Sequence, residues 1–91
     1  MATIDIQHEH SKSHKEARAA VERVAERIAE KFGITHAWDG DTLDFQGSGV
    51  SGKIALGRNR VHFTATLGFL ASAFRGSIES EINRQLDREL G

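Results

Sequence analysis

From Leu43 to Leu70, LDFQGSGVSGKIALGRNRVHFTATLGFL, apolar and polar positions alternate with period 2, which predicts a sheet for the rest of the chain to cover. Val50, Ile54 and Leu56 share one face with Gly52, and after the turn Gly57-Arg58-Asn59-Arg60 so do Val61, Phe63, Ala65 and Leu67. The opposite phase is polar: Ser51, Lys53, Arg60, His62, Thr64 and Thr66. An antiparallel sheet with one apolar face needs helices on one side only. Just upstream, Ile34 to Trp38 reads as a short strand, joined through Asp39-Gly40-Asp41 to a strand over Thr42 to Gln46. Gly47, Gly49 and Gly52 then mark a tight connection or a bulge where side chains are unwelcome.

The flanks change period. Thr3 to His10 alternates, with Ile4, Ile6, His8 and His10 on one side, so it is a strand. Ser13 with Glu16 three residues on is a capping box, after which Ala17, Ala20, Val21, Val24, Ala25, Ile28 and Phe32 recur at helical spacing. Gly33 is the expected left-handed residue past the end of that helix. Phe74, Ile78, Ile82, Leu86 and Leu90 form the stripe of a last helix, with Ser72 as N-cap and Gly76 making its first turn irregular. The expectation is one α+β domain over residues 1–91, a two-layer sandwich. About five antiparallel strands, in the order β-α-β-β-β-β-α, carry two helices packed on one face.

Composition narrows the partners. With 91 residues, a single core is small, and a second copy is expected to cover apolar surface that one chain cannot, as a homodimer. Twelve basic and 13 acidic residues give a net charge of −1, so no overall field draws nucleic acid or an anionic membrane. There is no cysteine, hence no disulfide or thiolate chemistry. The N-terminal residues lack the pattern of a signal peptide, and no apolar run reaches the ~20 residues of a membrane span. The expected location is the cytoplasm.

Four features carry candidate chemistry. Gly47 to Lys53 matches GxxxxGK, but Ile54 stands where a phosphate-binding loop needs Ser or Thr, and strand rather than helix follows. A glycine-rich strand connection is the better reading. His8, His10 and His14 are weak metal candidates, since alternate strand positions project together and His14 could approach from the helix start; a strand running into a helix cap explains them better. Asp39, Asp41 and Asp44 suit turn and solvated-strand roles better than paired acid-base work. Leu67 to Phe74 is an apolar knot. The simpler reading has Phe69 and Leu70 plugging one end of the core; the other leaves a patch for a partner copy or a hydrophobic surface.

The order of motifs then becomes informative. A strand ending at His10, an Ala- and Arg-rich helix closing on Phe32-Gly33, Trp38-Asp39-Gly40-Asp41 before Leu43 and Phe45, Gly49-Val50-Ser51-Gly52, Leu67-Gly68 and the Ile78, Ile82, Leu86 helix follow one another. In this order the chain resembles the small polyhydroxyalkanoic acid system family over nearly its whole length. The resemblance implies association with bacterial storage-polyester systems and brings no catalytic residues, and the matching Trp38, Phe45, Gly49, Gly52 and Gly68 are of types that define folds.

The leading expectation is a non-enzymatic accessory or binding protein of that system, without a cofactor. It would use Phe69, Leu70, Phe74, Ile78 and Ile82 for apolar contacts with a second copy, the granule surface or granule proteins. The alternatives are a small carrier holding an acyl or hydroxyacyl ligand between helix and sheet, and a histidine-based metal protein. The polar sheet face bearing Lys53, Arg60 and His62 is the other surface of interest.

Overall fold

The structure, a computed structural model, describes residues 2–47 and 49–91; the side chains of Ala2 and Leu70 lie outside that description. Five strands, β1 (Ala2–Glu9), β2 (Thr35–Asp39), β3 (Thr42–Gly47), β4 (Val50–Gly57) and β5 (Arg60–Leu67), form one antiparallel sheet in the order β1-β5-β4-β3-β2. β2 to β5 are successive hairpins. β1 closes the far edge against β5, pairing Ile4 with Ala65 and Ile6 with Phe63. The chain must therefore cross the whole sheet between β1 and β2, and helix α1 (His14–Phe32) makes that crossing. Its 19 residues span about 28 Å at 1.5 Å each, close to the ~27 Å of an eight-residue strand.

α1 begins and ends as its sequence dictates. The Ser13 hydroxyl accepts from the Glu16 N–H, the Glu16 carboxylate accepts from the Ser13 N–H, and Gly33 closes the helix at φ 66°. Ala17, Ala20, Val21, Val24, Ala25 and Ile28 are buried against the sheet. The alanines let the helix sit close.

The last helical region departs from expectation. Phe69–Ser72 forms a single turn, α2, and the long helix α3 (Arg75–Leu90) starts only after Phe74. Ser72 is not its N-cap, because the Ser72 hydroxyl donates back to the Phe69 carbonyl (2.9 Å). Phe74 takes the cap position without a side-chain cap bond. α3 buries Ile82, Leu86 and Leu90 beside α1, while Ile78 is only partly covered.

α1 and α3 run antiparallel on the same sheet face. Arg23 donates to Glu89 (2.6 Å), Arg27 to Gln85 (3.1 Å), and Lys31 to Glu81. The expected two-layer α+β sandwich is thus observed, with the single turn of α2 added.

The glycine-rich segment is a hairpin with no helix after it. Gly52 lies in β4 opposite Phe45 of β3, and the Phe45 ring occupies the space a side chain there would take. Phe45 also stacks on Phe63, centroids 5.4 Å apart. Lys53 points to the open face and Ile54 is buried, so the GxxxxGK spacing arises from strand packing.

Candidate functional site

Among the described residues, three large apolar side chains escape the core: Phe69 is 87% exposed, Phe74 64% and Phe32 38%. They follow from the ends of the helices. Lys31 of α1 pairs with Glu81 of α3, so α3 runs on for more than a turn beyond the point where Gly33 ends α1. Nothing from α1 covers that overhang. An open groove of about 790 Å³ results, floored by Phe32, Val50, Ala71, Phe74 and Ile78. Beneath it, a small apolar space enclosed by core residues shares Phe32, Val50 and Ile78 with the groove.

The rim on the α3 side is charged and fixed. Glu81 is buried at 8% exposure and accepts from both Arg84 (2.6 to 3.0 Å) and Lys31. Those two cations hold its carboxyl at about 2, well below the usual range. Lys31 thereby fastens α3 to the end of α1, while Arg84 holds the same carboxylate from within α3.

Phe69 therefore does not plug the core. It occupies the first position of a one-turn helix that begins directly after β5, which turns the ring to solvent. Of the other expected contact residues, Phe74 and Ile78 line the groove, Ile82 is a core residue at 2% exposure, and the Leu70 side chain lies outside the described residues. Phe32, Val50 and Ala71 complete the groove without having been singled out as surface residues. Phe32 looked like one more core position of an amphipathic stripe, and only the abrupt stop at Gly33 hinted that it would be uncovered.

The histidines separate. His8 lies 3.1 Å from the Gly91 carbonyl and 3.7 Å from Asp87. His14 meets Asp41 at 3.0 Å. His10 accepts the Lys12 N–H on Nδ1, leaving Nε2 enclosed and without a partner among the described residues; burial lowers its pKa first, then His8 and Lys12. Among the described residues, no three His, Cys, Asp or Glu side chains gather as a metal site.

The sheet face away from the helices is open. His62 lies 2.7 Å from Asp5 of β1, Lys53 sits between Asp44 and Thr64 in register, and Arg60 is opposite Glu9 near the β4–β5 turn. Lys53, Asp44, Ser51 and Thr66 border a shallow trough on this face.

The family model described as "Putative polyhydroxyalkanoic acid system protein" matches residues 4–90. The chain belongs to this polyhydroxyalkanoic acid system family. A comparison with curated proteins gives no match. Residues that carry the resemblance hold this family member's fold together. Trp38 lies under the Arg18 guanidinium, 3.9 Å from ring centroid to Cζ, and its indole N–H donates to Glu22. Gly68 donates its N–H to the Gly49 carbonyl at 2.7 Å, joining the end of β5 to the β3–β4 turn. No helix among the described residues is long and apolar enough to cross a membrane.

Proposed function

We propose that this protein is a non-enzymatic accessory protein of the polyhydroxyalkanoate storage system that attaches to the storage polyester through its apolar corner. The observation that carries the reading is the exposure of Phe69 and Phe74 beside a groove floored by Phe32, Val50 and Ile78, while most other large apolar side chains among the described residues are buried. A polyester surface is apolar and extended, and it accepts protruding rings without requiring a shaped partner. Each ring buried there contributes roughly 1.5 to 3 kcal/mol before ordering costs.

The test is co-sedimentation with poly(3-hydroxybutyrate) particles. The double substitution Phe69→Ser and Phe74→Ser should weaken binding at least ~10-fold, since losing one ring alone removes more than about 1.4 kcal/mol. Unchanged binding by this variant removes the corner from the reading. A second copy is the competing occupant of the same corner. Sedimentation velocity decides it: a wild-type homodimer that the double substitution dissociates, without particle binding, assigns the corner to self-association.

A second reading rests on the apolar groove itself, the space beneath it being only about 20 Å³. It makes the protein a small carrier whose groove holds an acyl or hydroxyacyl chain entering past Phe32 and Ile78. Native mass spectrometry of protein from polyester-accumulating cells separates the two, because a carrier leaves with bound ligand and a surface-attached protein does not.

A further inference from the structure

The strand registers assemble one feature that no single strand displays. Thr3 of β1 is paired with Thr66 of β5, Thr66 with Ser51 of β4, Ser51 with Gln46 of β3, and Gln46 with Thr35 of β2. One row across all five strands therefore carries a hydrogen-bond donor at every position, on the face the helices leave open. Thr35 is occupied, donating to the Gln46 carbonyl at 3.2 Å. Thr3, Ser51 and Gln46 are exposed and Thr66 is half-buried. The trough on this face, about 800 Å³, lies along this row and the next, which holds Asp5, Thr64, Lys53 and Asp44.

Adjacent strands are about 4.8 Å apart, so the donors recur at that step. A poly(3-hydroxyalkanoate) backbone has four bonds per unit. An extended peptide advances about 3.4 Å over three backbone bonds, so four bonds of comparable length advance about 4.5 Å. An even number of bonds per unit also puts successive ester carbonyls on the same edge of an extended zigzag. Donor row and acceptor row thus share both spacing and direction, and over the three strand gaps from Thr3 to Gln46 they drift apart by less than about 1 Å.

The row also lies close along the chain to the apolar corner. Thr66 is next to Leu67, the last residue of β5, and Phe69 follows after Gly68. Arg75, at the start of α3, donates to the Thr3 carbonyl at 3.1 Å, so the row's β1 end is tied to the same region. A polymer surface met by Phe69 is within reach of the row.

The geometry points to the Thr3, Thr66, Ser51 and Gln46 row as a cradle for one extended 3-hydroxyalkanoate polyester strand, its ester carbonyls accepting from successive β-strands. This rests on the reading of the protein as a polyester-binding one and deepens it. Apolar rings give adhesion to any hydrophobic surface, whereas the donor row selects for regularly spaced esters. Lys53 and Thr64, in the neighbouring row, border the same trough and flank the bound strand.

The experiment compares three particle types, poly(3-hydroxybutyrate), poly(4-hydroxybutyrate) and polystyrene, with wild-type protein and the triple variant Thr3→Val, Ser51→Ala, Thr66→Val. Valine matches threonine in shape and suits a strand, so the fold is retained, which circular dichroism and a urea melt verify. A second variant, Thr66→Val alone, covers the case in which the triple variant fails to fold.

The expected result is wild-type preference for the 3-hydroxy polyester, whose carbonyls share one edge, over the 4-hydroxy polymer, whose five-bond unit alternates them. The triple variant should bind it about 10- to 100-fold more weakly, and Thr66→Val a few-fold more weakly, with polystyrene binding unchanged. Valine is more apolar than threonine, so purely hydrophobic attachment predicts equal or tighter binding by both variants. That outcome overturns the cradle, as does a wild type without preference among the three particles, while polyester adhesion itself stands. A wild type that pellets with none of the particles overturns the underlying reading too.

Discussion

Replacing Gly52 by alanine is the most direct test of how the sheet is built. A Cβ at this position would lie 2.2 Å from the Thr64 carbonyl oxygen, 2.6 Å from Phe45 Cζ and 2.8 Å from Ala65 Cα. All three are closer than any carbon contact tolerates. The Phe45 ring is stacked on Phe63 and can give little, and Thr64 and Ala65 belong to β5, which is paired on both sides by β1 and β4. Relief therefore requires moving a central strand. Overpacking costs typically 1 to 3 kcal/mol, and two backbone obstacles put Gly52→Ala at about 3 kcal/mol. A domain of 91 residues has roughly 5 to 14 kcal/mol of stability in total. At about 4 to 8 °C per kcal/mol, the expected fall in Tm is about 12 to 24 °C, read by circular dichroism and checked by urea denaturation. A fall under about 4 °C would refute the close packing. The same protein also tests the GxxxxGK spacing, because a phosphate loop would lose nucleotide affinity while keeping its stability.

Gly76 provides the contrast: it lies in α3 with nothing within 4 Å of an added Cβ, so Gly76→Ala should raise stability by about 0.5 to 1 kcal/mol in a urea melt. Glu81 governs the acid limb. Its carboxyl is held at about 2 against a usual 4.5, so its contribution is complete above about pH 4.5 and is lost as pH falls through about 2. Glu81→Gln lacks that dependence, and its urea midpoint should fall less than the wild type's between about pH 5 and 2.5. Lys31 and Arg84 are largely exposed, so the difference should shrink in high salt. Parallel acid limbs for the two proteins would remove Glu81 as the clasp between α1 and α3.

The parts of the fold that could be read in advance are those governed by neighbours in sequence. Ser13, Glu16 and Gly33 bound α1 through contacts within a few residues, and the alternation from Leu43 to Leu67 needs only the pleat of a strand. Ser72 misled because its hydroxyl had two local partners to choose between, the N–H groups ahead and the Phe69 carbonyl behind, and the turn of α2 decides in favour of the carbonyl. Phe74 and Phe32 fit helical stripes, yet burial depends on how far the two helices overlap, which is set by the pairing of Lys31 with Glu81 across 50 residues. The donor row was out of reach for the same reason. Thr66 and Ser51 stand in the polar phase of their strands, but that Thr3 and Gln46 join them depends on the registers of β1 and β3.

The two surfaces proposed to bind lie at the same end of the sheet. β1 and β2 are at opposite edges and run in the same direction, so α1 must start beyond the end of β1 and stop where β2 starts. Gly33 enforces that stop, and one more turn of α1 would roof the groove. At the same end, β5 hands over to α2 at Gly68, which leaves Phe69 outside while Thr66, two residues earlier, remains in the donor row. The apolar corner thus comes from a crossover helix cut to the length of the strands it spans, and the polar row from the registers of those strands. Lengthening α1 by a turn before Gly33 should therefore close the groove and impair adhesion to every particle, while leaving the registers behind ester selectivity intact.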